Sequence, residues 1–559
     1  MPFLAQKHLP ISNKDLLSWM FDQPDYDLDT PIYIDAVRPS RSLSSNQARA
    51  TIRKLIAGFR AAGLKKGDCV CLHSFNDLYY SILFLAIIGA GGVYTGTNPS
   101  YTAFELTHHL KTSRARFIIA EPELLASIKD AAKTCEIPES HMWIFNVHGQ
   151  SVPPALQSWS ELLSHGEDDW IRFNDKQVSR RTPVALLFSS GTTGLPKAAE
   201  LSHYNLVAQH TLAVEPHRVP YEVSRLVYLP MFHAAVVPIG HTTPLKAGHR
   251  AYVMRRFDLD IFLSSIQKFK VTEISVVPPI VLTVLASPLT KKYDLTSVRW
   301  TSCGAASLGK VHQRQFEELL APDACFNQVW GMTETSCVAS RFWYPENDST
   351  GSIGRFISNL DVKLVDDDDR DITAPGAKGE LLVRGPTIIA QYYANPAANA
   401  ASFDSEGYFR TGDIVTCEAG SGVTLATAKW YMVDRKKELI KVRGFQVSPA
   451  ELEAVILQHP AIVDAAVVGM KIQDGDRHSR DGERPRAYVV RDPAVKDTSV
   501  TEADIKEWCG QRLAKYKSLT GGVVFVDAVP RTTSGKLLKR VLREQAERQG
   551  SAESATAKL

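Results

Sequence analysis

This 559-residue sequence lacks a large excess of either charge, clustered cysteines and long apolar runs, and each absence excludes a class of protein. The 64 lysines and arginines nearly balance the 61 acidic residues, which leaves a formal net charge of +3. A nearly neutral chain has no general attraction for nucleic acid or for an anionic membrane. We therefore predict no nucleic-acid partner, and any anionic ligand must be bound by a local site.

The eight cysteines are scattered, without a CxxC pair or a Cys/His cluster at metal-ligand spacing. This pattern predicts reduced, mostly buried thiols. The first ten residues, MPFLAQKHLP, lack the basic and apolar segments of a secretory signal. The most apolar stretch, residues 81–94, contains three glycines and is shorter than the roughly 20 residues that span a bilayer. We predict a buried helix there and no membrane span.

The order of apolar segments predicts an α/β protein with more than one domain. Buried-strand patterns at residues 69–73 and 117–120 precede helical patterns at 78–88 and 122–132, and residues 274–277 are another candidate strand. This alternation favours mainly parallel sheets. A further segment, the four aspartates at positions 366–369, predicts an exposed hairpin turn between the strands LDVKLV and GELLVRG.

A charged run near residues 434–437 is the predicted domain boundary. We assign residues 1–434 to a large, multi-layer N-terminal domain and residues 435–559 to a small α+β domain. In the small domain, Ser448 and Glu451 have the spacing of a capping box, and Thr501 is the predicted N-cap of a second helix.

Residues 187–197, LFSSGTTGLPK, form a candidate anion site. An apolar strand enters a Ser/Gly/Thr-rich loop, whose backbone N–H groups and hydroxyls can converge on a phosphate, and a lysine closes the loop. The spacing differs from the P-loop pattern GxxxxGK[ST]. A mobile loop of this composition suits a pyrophosphate that must bind and then leave.

This loop resembles the phosphate loop of the adenylate-forming enzymes, a superfamily that includes acyl-CoA synthetases, coumarate:CoA ligases, firefly luciferase and peptide-synthetase adenylation domains. Other segments resemble the family in the same order: NPSYTAFEL (98–106), LPMFH (229–233), GAASLGK (304–310), WGMTET (330–335), GELLVRG (379–385), YFRTGD (408–413), VDRKKELIKVRGFQVSPAELE (433–453) and TTSGK (532–536). The resemblance implies an ATP-dependent acid:CoA ligase that forms an acyl-adenylate, with ATP, Mg²⁺ and coenzyme A as cofactors and a mobile C-terminal domain.

The resemblance also implies which residues bind ATP and CoA. Trp330 offers its ring face to adenine or is a core residue, Thr333 approaches the α-phosphate and Glu334 holds Mg²⁺. Asp413 accepts the ribose hydroxyls beside Arg435, unless the two form only a solvated ion pair. The full predicted set comprises Ser189, Ser190, Gly191, Thr192, Thr193, Gly194, Lys197, Gly304, Ala305, Ala306, Trp330, Gly331, Thr333, Asp413, Arg435, Lys441, Gly444, Phe445, Gln446 and Lys536.

Four residues are the predicted catalytic group: Lys536, Thr333, Lys441 and His233. By resemblance, Lys536 stabilises the transition state of adenylation. The small domain then rotates about Lys437 and brings the face around Lys441 to the acyl-adenylate, where CoA thiolate displaces AMP. His233 separates the phosphate site from the acyl pocket.

The acyl pocket implied by the resemblance has small or apolar walls, so we expect an acid with an uncharged aryl, arylalkanoic or medium-chain aliphatic tail. Its predicted lining is Phe232, His233, Ala235, Val236, Gly304, Ala305, Gly331, Met332, Ser336, Cys337 and Val338. The sequence leaves three alternatives open: a synthetase that loads a separate carrier protein, a luciferase-like oxygenase, and a non-catalytic nucleotide-binding protein.

The sequence ends on Ala557, Lys558 and Leu559, which keep the small, basic and leucine positions of a peroxisomal address. The preceding segment is small and polar and cannot form a packed core. We expect an exposed tail, a peroxisomal import receptor as partner and a peroxisomal location, or a cytosolic one if the tail is inactive.

Overall fold

The structure is a computed structural model that describes residues 3–189, 196–374, 376–418, 427–436, 438–442, 445–471, 483–493, 495, 500–513, 515–532, 535 and 537–556. Its strands are β1 Pro31–Asp35, β2 Ser42–Ser44, β3 Cys69–His73, β4 Val93–Thr97, β5 Ala115–Ala120, β6 Met142–Ile144, β7 Gln157–Ser158, β8 Pro183–Ser189, β9 Lys197–Ser202, β10 Ser224–Val227, β11 Arg250–Val253, β12 Glu273–Val276, β13 Trp300–Cys303, β14 Cys325–Gln328, β15 Trp330–Met332, β16 Cys337–Arg341, β17 Arg355–Phe356, β18 Asp361–Val365, β19 Gly379–Arg384, β20 Phe409–Cys417, β21 Trp430–Arg435, β22 Ile440–Val442, β23 Phe445–Val447, β24 Ile462–Lys471, β25 Glu483–Arg491 and β26 Val523–Phe525.

The α-helices are α1 Leu16–Phe21, α2 Ser45–Ala61, α3 Leu78–Gly89, α4 Ala103–Ser113, α5 Leu125–Thr134, α6 Lys176–Arg181, α7 His203–Ala213, α8 Thr243–Ala247, α9 Leu259–Phe269, α10 Pro278–Ala286, α11 Lys310–Glu317, α12 Pro396–Ser402, α13 Pro449–Ile456, α14 Glu502–Gly510 and α15 Lys539–Thr556. Among the described residues, none of the helices combines the length and apolar character that crossing a bilayer requires. All eight cysteines are free thiols, as predicted.

Two seven-stranded sheets form the large domain, and both are mainly parallel. The first has the order β7-β6-β5-β3-β4-β8-β9, with only β9 antiparallel to its neighbour. The second has the order β14-β13-β12-β10-β11-β1-β2, with only β2 antiparallel. Parallel sheets are covered on both faces, which is why their strands read as continuous apolar runs. The predicted α/β class is confirmed.

The apolar stretch 81–94 is only partly the buried helix that the sequence predicts. Helix α3 is buried along nearly its whole length and its N-terminus is capped by Asp77, whose side chain accepts from the Tyr79 N–H. The helix ends at Gly89. Gly91 has a φ of +92°, at which the backbone of a residue with a side chain would be strained. The chain then turns into β4, so the end of the stretch is a strand of the first sheet.

Two smaller antiparallel sheets complete the large domain, with the orders β15-β16-β17 and β18-β19-β20-β21. The predicted hairpin is the β18–β19 pair, whose register joins Val362 to Val383. In the small domain, β24 and β25 pair in an antiparallel manner and β26 runs parallel to β25. The predicted mixture of helices and strands in that domain is therefore observed.

The capping prediction for the small domain is confirmed in α14 and only partly confirmed in α13. Thr501 caps α14 in a reciprocal box with Asp504. Ser448 caps α13 by accepting from the Glu451 N–H at 3.3 Å. The Glu451 carboxylate does not return to the Ser448 backbone, because it pairs with Lys517 Nζ at 2.5 Å. A tertiary ion pair thus replaces the second half of the predicted box.

Candidate active site

The candidate nucleotide site begins at the short strand β15 and the 3₁₀ turn that follows it, Thr333–Thr335. Strand β14 of the second parallel sheet ends at Gln328, so these residues leave the carboxyl edge of that sheet. Ligands of open α/β sheets bind at this edge. Thr333 and Glu334 are 9% and 3% exposed, so the turn holds both side chains in a nearly dry environment.

Asp413 is the centre of a second group, on strand β20. Register with β21 places Asp413 directly opposite Arg435, and Arg435 Nε lies 3.3 Å from the Asp413 Oδ1 atom. The other carboxylate oxygen, Oδ2, accepts from the Trp330 indole N–H at 2.8 Å. Asp413 is only 2% exposed, so this is not a solvated surface ion pair. The carboxylate is oriented from two sides.

Trp330 is 5% exposed and packs edge-to-face on Phe356, with ring centroids 5.9 Å apart. The ring packs as a core residue, and its indole N–H holds Asp413. The predicted contact of the ring face with adenine stays a prediction.

Glu334 meets the requirements for a Mg²⁺ ligand. Its carboxylate is a hard oxygen donor, and Tyr392 Oη donates to Oε1 at 2.7 Å. Among the described side chains, Tyr392 is the only donor to this carboxylate. The described residues contain no cluster of three or more His, Cys, Asp or Glu that could hold a metal ion by themselves. Mg²⁺ is typically bound by one or two carboxylates together with substrate phosphates and water, so a single glutamate fits.

The predicted phosphate loop is described at its two ends. Ser189, the last residue of β8, pairs with Lys197, the first of β9. Lys197 Nζ lies 5.1 Å from the centroid of the Tyr392 ring, and His108 Nε2 is 2.9 Å from the Pro196 carbonyl oxygen. The remaining predicted loop residues lie outside the described part of the chain: Ser190, Gly191, Thr192, Thr193 and Gly194.

The predicted acyl wall brings together three chain segments. His233 caps the 3₁₀ turn Ala234–Val236, because its Nδ1 accepts from the Ala235 N–H at 3.2 Å. The Cys337 thiol donates to the Ala235 carbonyl oxygen at 3.8 Å. A Cβ on Gly331 would collide with the Cys337 carbonyl oxygen, so only glycine lets the two strands approach.

Exposure divides the predicted lining into accessible and buried members. Ala235, Ala305 and Gly331 are exposed, and Ala305 has a φ of +69°. Val236 and Ser336 are 0% exposed, and the Ser336 hydroxyl donates to the Thr387 carbonyl at 2.6 Å. The partly exposed members are Phe232, His233, Gly304, Met332 and Val338, and Cys337 is buried. Ala306 of the predicted nucleotide set is partly exposed as well. The most exposed members of the predicted lining are thus its small residues.

The small domain contacts the large domain at Gly535, the residue before Lys536 in the sequence. Gly535 has a φ of +83°, and a Cβ there would lie 3.1 Å from Val277 Cγ2 and Pro279 Cδ of the large domain. The Gly535 carbonyl is held by the small domain, because Arg531 Nη1 donates to it at 3.1 Å and Arg531 pairs with Asp464 at 2.7 Å. The position next to Lys536 therefore docks beyond the carboxyl end of β12.

The remaining predicted residues of the small domain are described only in part. Lys441 and Gln446 face each other in the β22–β23 register, next to Phe445. The side chains of these three residues lie outside the description, as do Lys437, Gly444 and Lys536 altogether. Their predicted roles stay predictions.

Sequence reasoning missed Tyr392. This residue is 5% exposed and contacts Glu334, Lys197 and the backbone of β9. Nothing in the periodicity of the QYYANP segment marks its first tyrosine. Only the proximity of two separate chain segments reveals it.

Comparison with known proteins assigns both parts of the chain. The family model described as AMP-binding enzyme matches residues 22–393, and that of the AMP-binding enzyme C-terminal domain matches residues 451–536. The chain is 50% identical to a phenylacetyl-CoA ligase of Aspergillus niger over 98% of its length and 99% of that protein. It is also 50% identical to an acyl-CoA synthetase of Alternaria alternata, over 92% of this chain and 87% of that one.

Solved structures share the fold. The crystal structure of ATP-bound MatB from Rhodopseudomonas palustris superposes with a TM-score of 0.83 and 25% identity, covering 96% of this chain and 99% of that one. The similarity extends over the large domain and the small one alike, since so little of either chain is left uncovered.

Proposed function

The chain belongs to the AMP-binding enzyme family and is an acyl-CoA ligase, and we propose that its acid has an uncharged aryl, arylalkanoic or medium-chain aliphatic tail. The main support for this proposal is the contact between the Cys337 thiol and the Ala235 carbonyl. This contact joins Ala235 of the proposed wall to Cys337, which follows closely after the turn that carries Thr333 and Glu334. A carboxylate whose tail lies along the wall can thus reach a nucleotide bound at the turn.

The first half-reaction forms the acyl-adenylate. A carboxylate oxygen attacks the α-phosphorus of ATP, the bond to the β-phosphate breaks and pyrophosphate leaves past the loop between Ser189 and Lys197. Asp413 binds the ribose hydroxyls, oriented by Trp330 and Arg435. Glu334 would hold Mg²⁺, which when bound neutralises phosphate charge.

Lys536 and Lys441 divide the two half-reactions in this proposal. Docking of Gly535 against Val277 supports a role for Lys536 in adenylation, because Gly535 precedes Lys536 in the sequence and lies beyond the carboxyl end of β12. In the second half-reaction the CoA thiolate attacks the acyl carbonyl carbon, and AMP leaves with the mixed-anhydride oxygen. The face around Lys441 serves this step after the small domain has turned about Lys437.

The experiment supplies purified protein with ATP, Mg²⁺, CoA and a panel of acids, and measures thioester by mass spectrometry. Because the Aspergillus niger relative is a phenylacetyl-CoA ligase, phenylacetic acid is the first member. Cinnamic, octanoic, succinic and amino acids complete the panel. Preference for a charged tail would contradict the proposed pocket. Pyrophosphate release without a CoA thioester would instead favour a carrier-protein acceptor or an oxygenase.

We also propose that residues 557–559 direct the protein to the peroxisome through an import receptor. The support is the small-basic-leucine order of the tripeptide alone, and these residues lie outside the described part of the chain. The test is a fluorescent protein that carries the last ten residues, with and without Leu559. A diffuse cytosolic signal from the intact tail would disprove the proposal.

A further inference from the structure

Tyr392 connects the two elements that flank the candidate triphosphate site. Its hydroxyl donates to Glu334 Oε1 at 2.7 Å. The Lys197 ammonium lies 5.1 Å from the centroid of the same ring, a distance typical of a cation–π contact. The Ser189 side chain lies beside the phenol as well. One aromatic residue therefore touches the candidate metal ligand and both ends of the phosphate loop.

The backbone around Tyr392 is fixed by β9. Tyr392 bridges to Ala199, and the Tyr393 N–H donates to the Ala198 carbonyl at 2.8 Å. On the other side, Asn399 both accepts from the Tyr392 N–H at 2.7 Å and donates to its carbonyl at 3.0 Å. These bonds leave the phenol little freedom.

Glu334 is fixed to the same segment. Its carbonyl accepts from the Ile389 N–H at 3.0 Å, three residues before Tyr392. Both side chains are buried, with Tyr392 5% and Glu334 3% exposed. The phenol O–H donates to the Glu334 carboxylate at 2.7 Å, so the hydrogen bond is sheltered from water.

We propose that Tyr392 is a positioning residue for adenylation, which holds the Glu334 carboxylate toward the Mg²⁺ of MgATP and supports Lys197 at the end of the phosphate loop. The inference rests on the proposed role of Glu334. A hydrogen-bond donor behind a metal-binding carboxylate fixes its orientation, and loss of such a partner weakens metal affinity about 10- to 100-fold. The ring contributes separately, because it lies under the lysine ammonium.

The test uses the full-length protein and two substitutions at this position. Tyr392→Phe removes only the hydroxyl, while Tyr392→Leu also removes the ring. ATP binding is measured by calorimetry without any acid, so that no reaction occurs, in the presence of Mg²⁺ and then of EDTA. For Tyr392→Phe we expect the Mg²⁺-dependent gain in ATP affinity to fall about tenfold or more, with binding in EDTA unchanged. For Tyr392→Leu we expect ATP binding in EDTA to weaken too.

Three controls separate positioning from general damage. Tyr393→Phe alters the neighbouring tyrosine, whose ring lies under Arg114, and should leave both measurements unchanged. In a Glu334→Gln background, Tyr392→Phe should add no further loss of Mg²⁺ dependence, because both changes remove one interaction. Transfer of a supplied acyl-adenylate to CoA should be unaffected by Tyr392→Phe, since that step involves no triphosphate.

The outcomes distinguish this inference from the proposed function. If wild-type protein makes a CoA thioester and Tyr392→Phe keeps its full Mg²⁺ dependence, the positioning role of Tyr392 is wrong. If Glu334→Gln also keeps it, the metal role of Glu334 is wrong, and the inference with it. If wild-type protein makes no thioester with any acid while Tyr392→Phe still loses Mg²⁺ dependence, the proposed substrate class fails and the role of Tyr392 stands.

Discussion

The bond between Trp330 and Asp413 gives a quantitative prediction with a matched control. Trp330→Phe removes the indole N–H that donates to the Asp413 carboxylate at 2.8 Å and leaves a phenyl ring in its place. Trp300→Phe makes the same chemical change at an equally buried tryptophan, whose N–H donates to the neutral Ser302 hydroxyl, also at 2.8 Å. The two variants share the loss of ring size, so their difference isolates the charge of the acceptor.

The expected difference follows from the two acceptors. A hydrogen bond to a charged group contributes about 1.5–3 kcal/mol and one to a neutral group about 0.5–1.5 kcal/mol. Trp330→Phe should therefore lower the free energy of unfolding by about 1 kcal/mol more than Trp300→Phe does, as measured by urea denaturation.

A binding measurement tests whether the Trp330–Asp413 hydrogen bond orients the carboxylate for the ribose. If Asp413 accepts the ribose hydroxyls, wild-type protein should bind ATP about tenfold or more tightly than 2′-deoxyATP, because the deoxy compound lacks one charge-assisted bond. In Trp330→Phe this ratio should shrink to a few-fold, since the carboxylate is no longer held from both sides. In Trp300→Phe it should be unchanged. Equal stability losses in the two variants, together with an unaltered ratio, would refute the reasoning.

Three further outcomes are expected. Ala235→Phe should reduce kcat/KM for bulky acids while sparing the shortest ones, because Ala235 is exposed and belongs to the proposed acyl wall; equal losses across a panel of acids would contradict this. Lys536→Ala should slow pyrophosphate release by on the order of a hundredfold or more, while the variant still transfers a supplied acyl-adenylate to CoA. Lys441→Ala should have the opposite effects, and parallel failure of both steps in both variants would argue against the division of roles. Burial lowers the pKa of His203 to about 3, and its Nδ1 accepts from the Leu16 N–H at 3.0 Å. Since the unfolded chain takes up this proton first, stability should fall as pH drops below about 6.5, by at most about 1.4 kcal/mol per pH unit from this residue. Urea denaturation of His203→Gln should show a shallower pH slope between pH 7 and 5, and an unchanged slope would contradict the assignment.

Local sequence was sufficient for the elements whose signals lie within a few residues of each other. The apolar run at 69–73 is strand β3, and the cap residues Ser448 and Thr501 begin their helices where predicted. Such signals are local because a cap or a strand depends on side chains that are neighbours in sequence. The prediction failed where a distant group competed, as when Lys517 took the Glu451 carboxylate.

The candidate site shows the same division more sharply. The sequence by itself determined the chemical class of its residues, since Glu334, Asp413 and Arg435 are recognisable from their motifs. Tertiary structure alone decided how they are held: Trp330 meets Asp413 across 83 positions, and Tyr392 meets Glu334 across 58. These contacts depend on the register and packing of several strands at once, and a hydrogen bond 2.7–2.8 Å long forms only when all of them are in place. No short stretch of the chain contains that information.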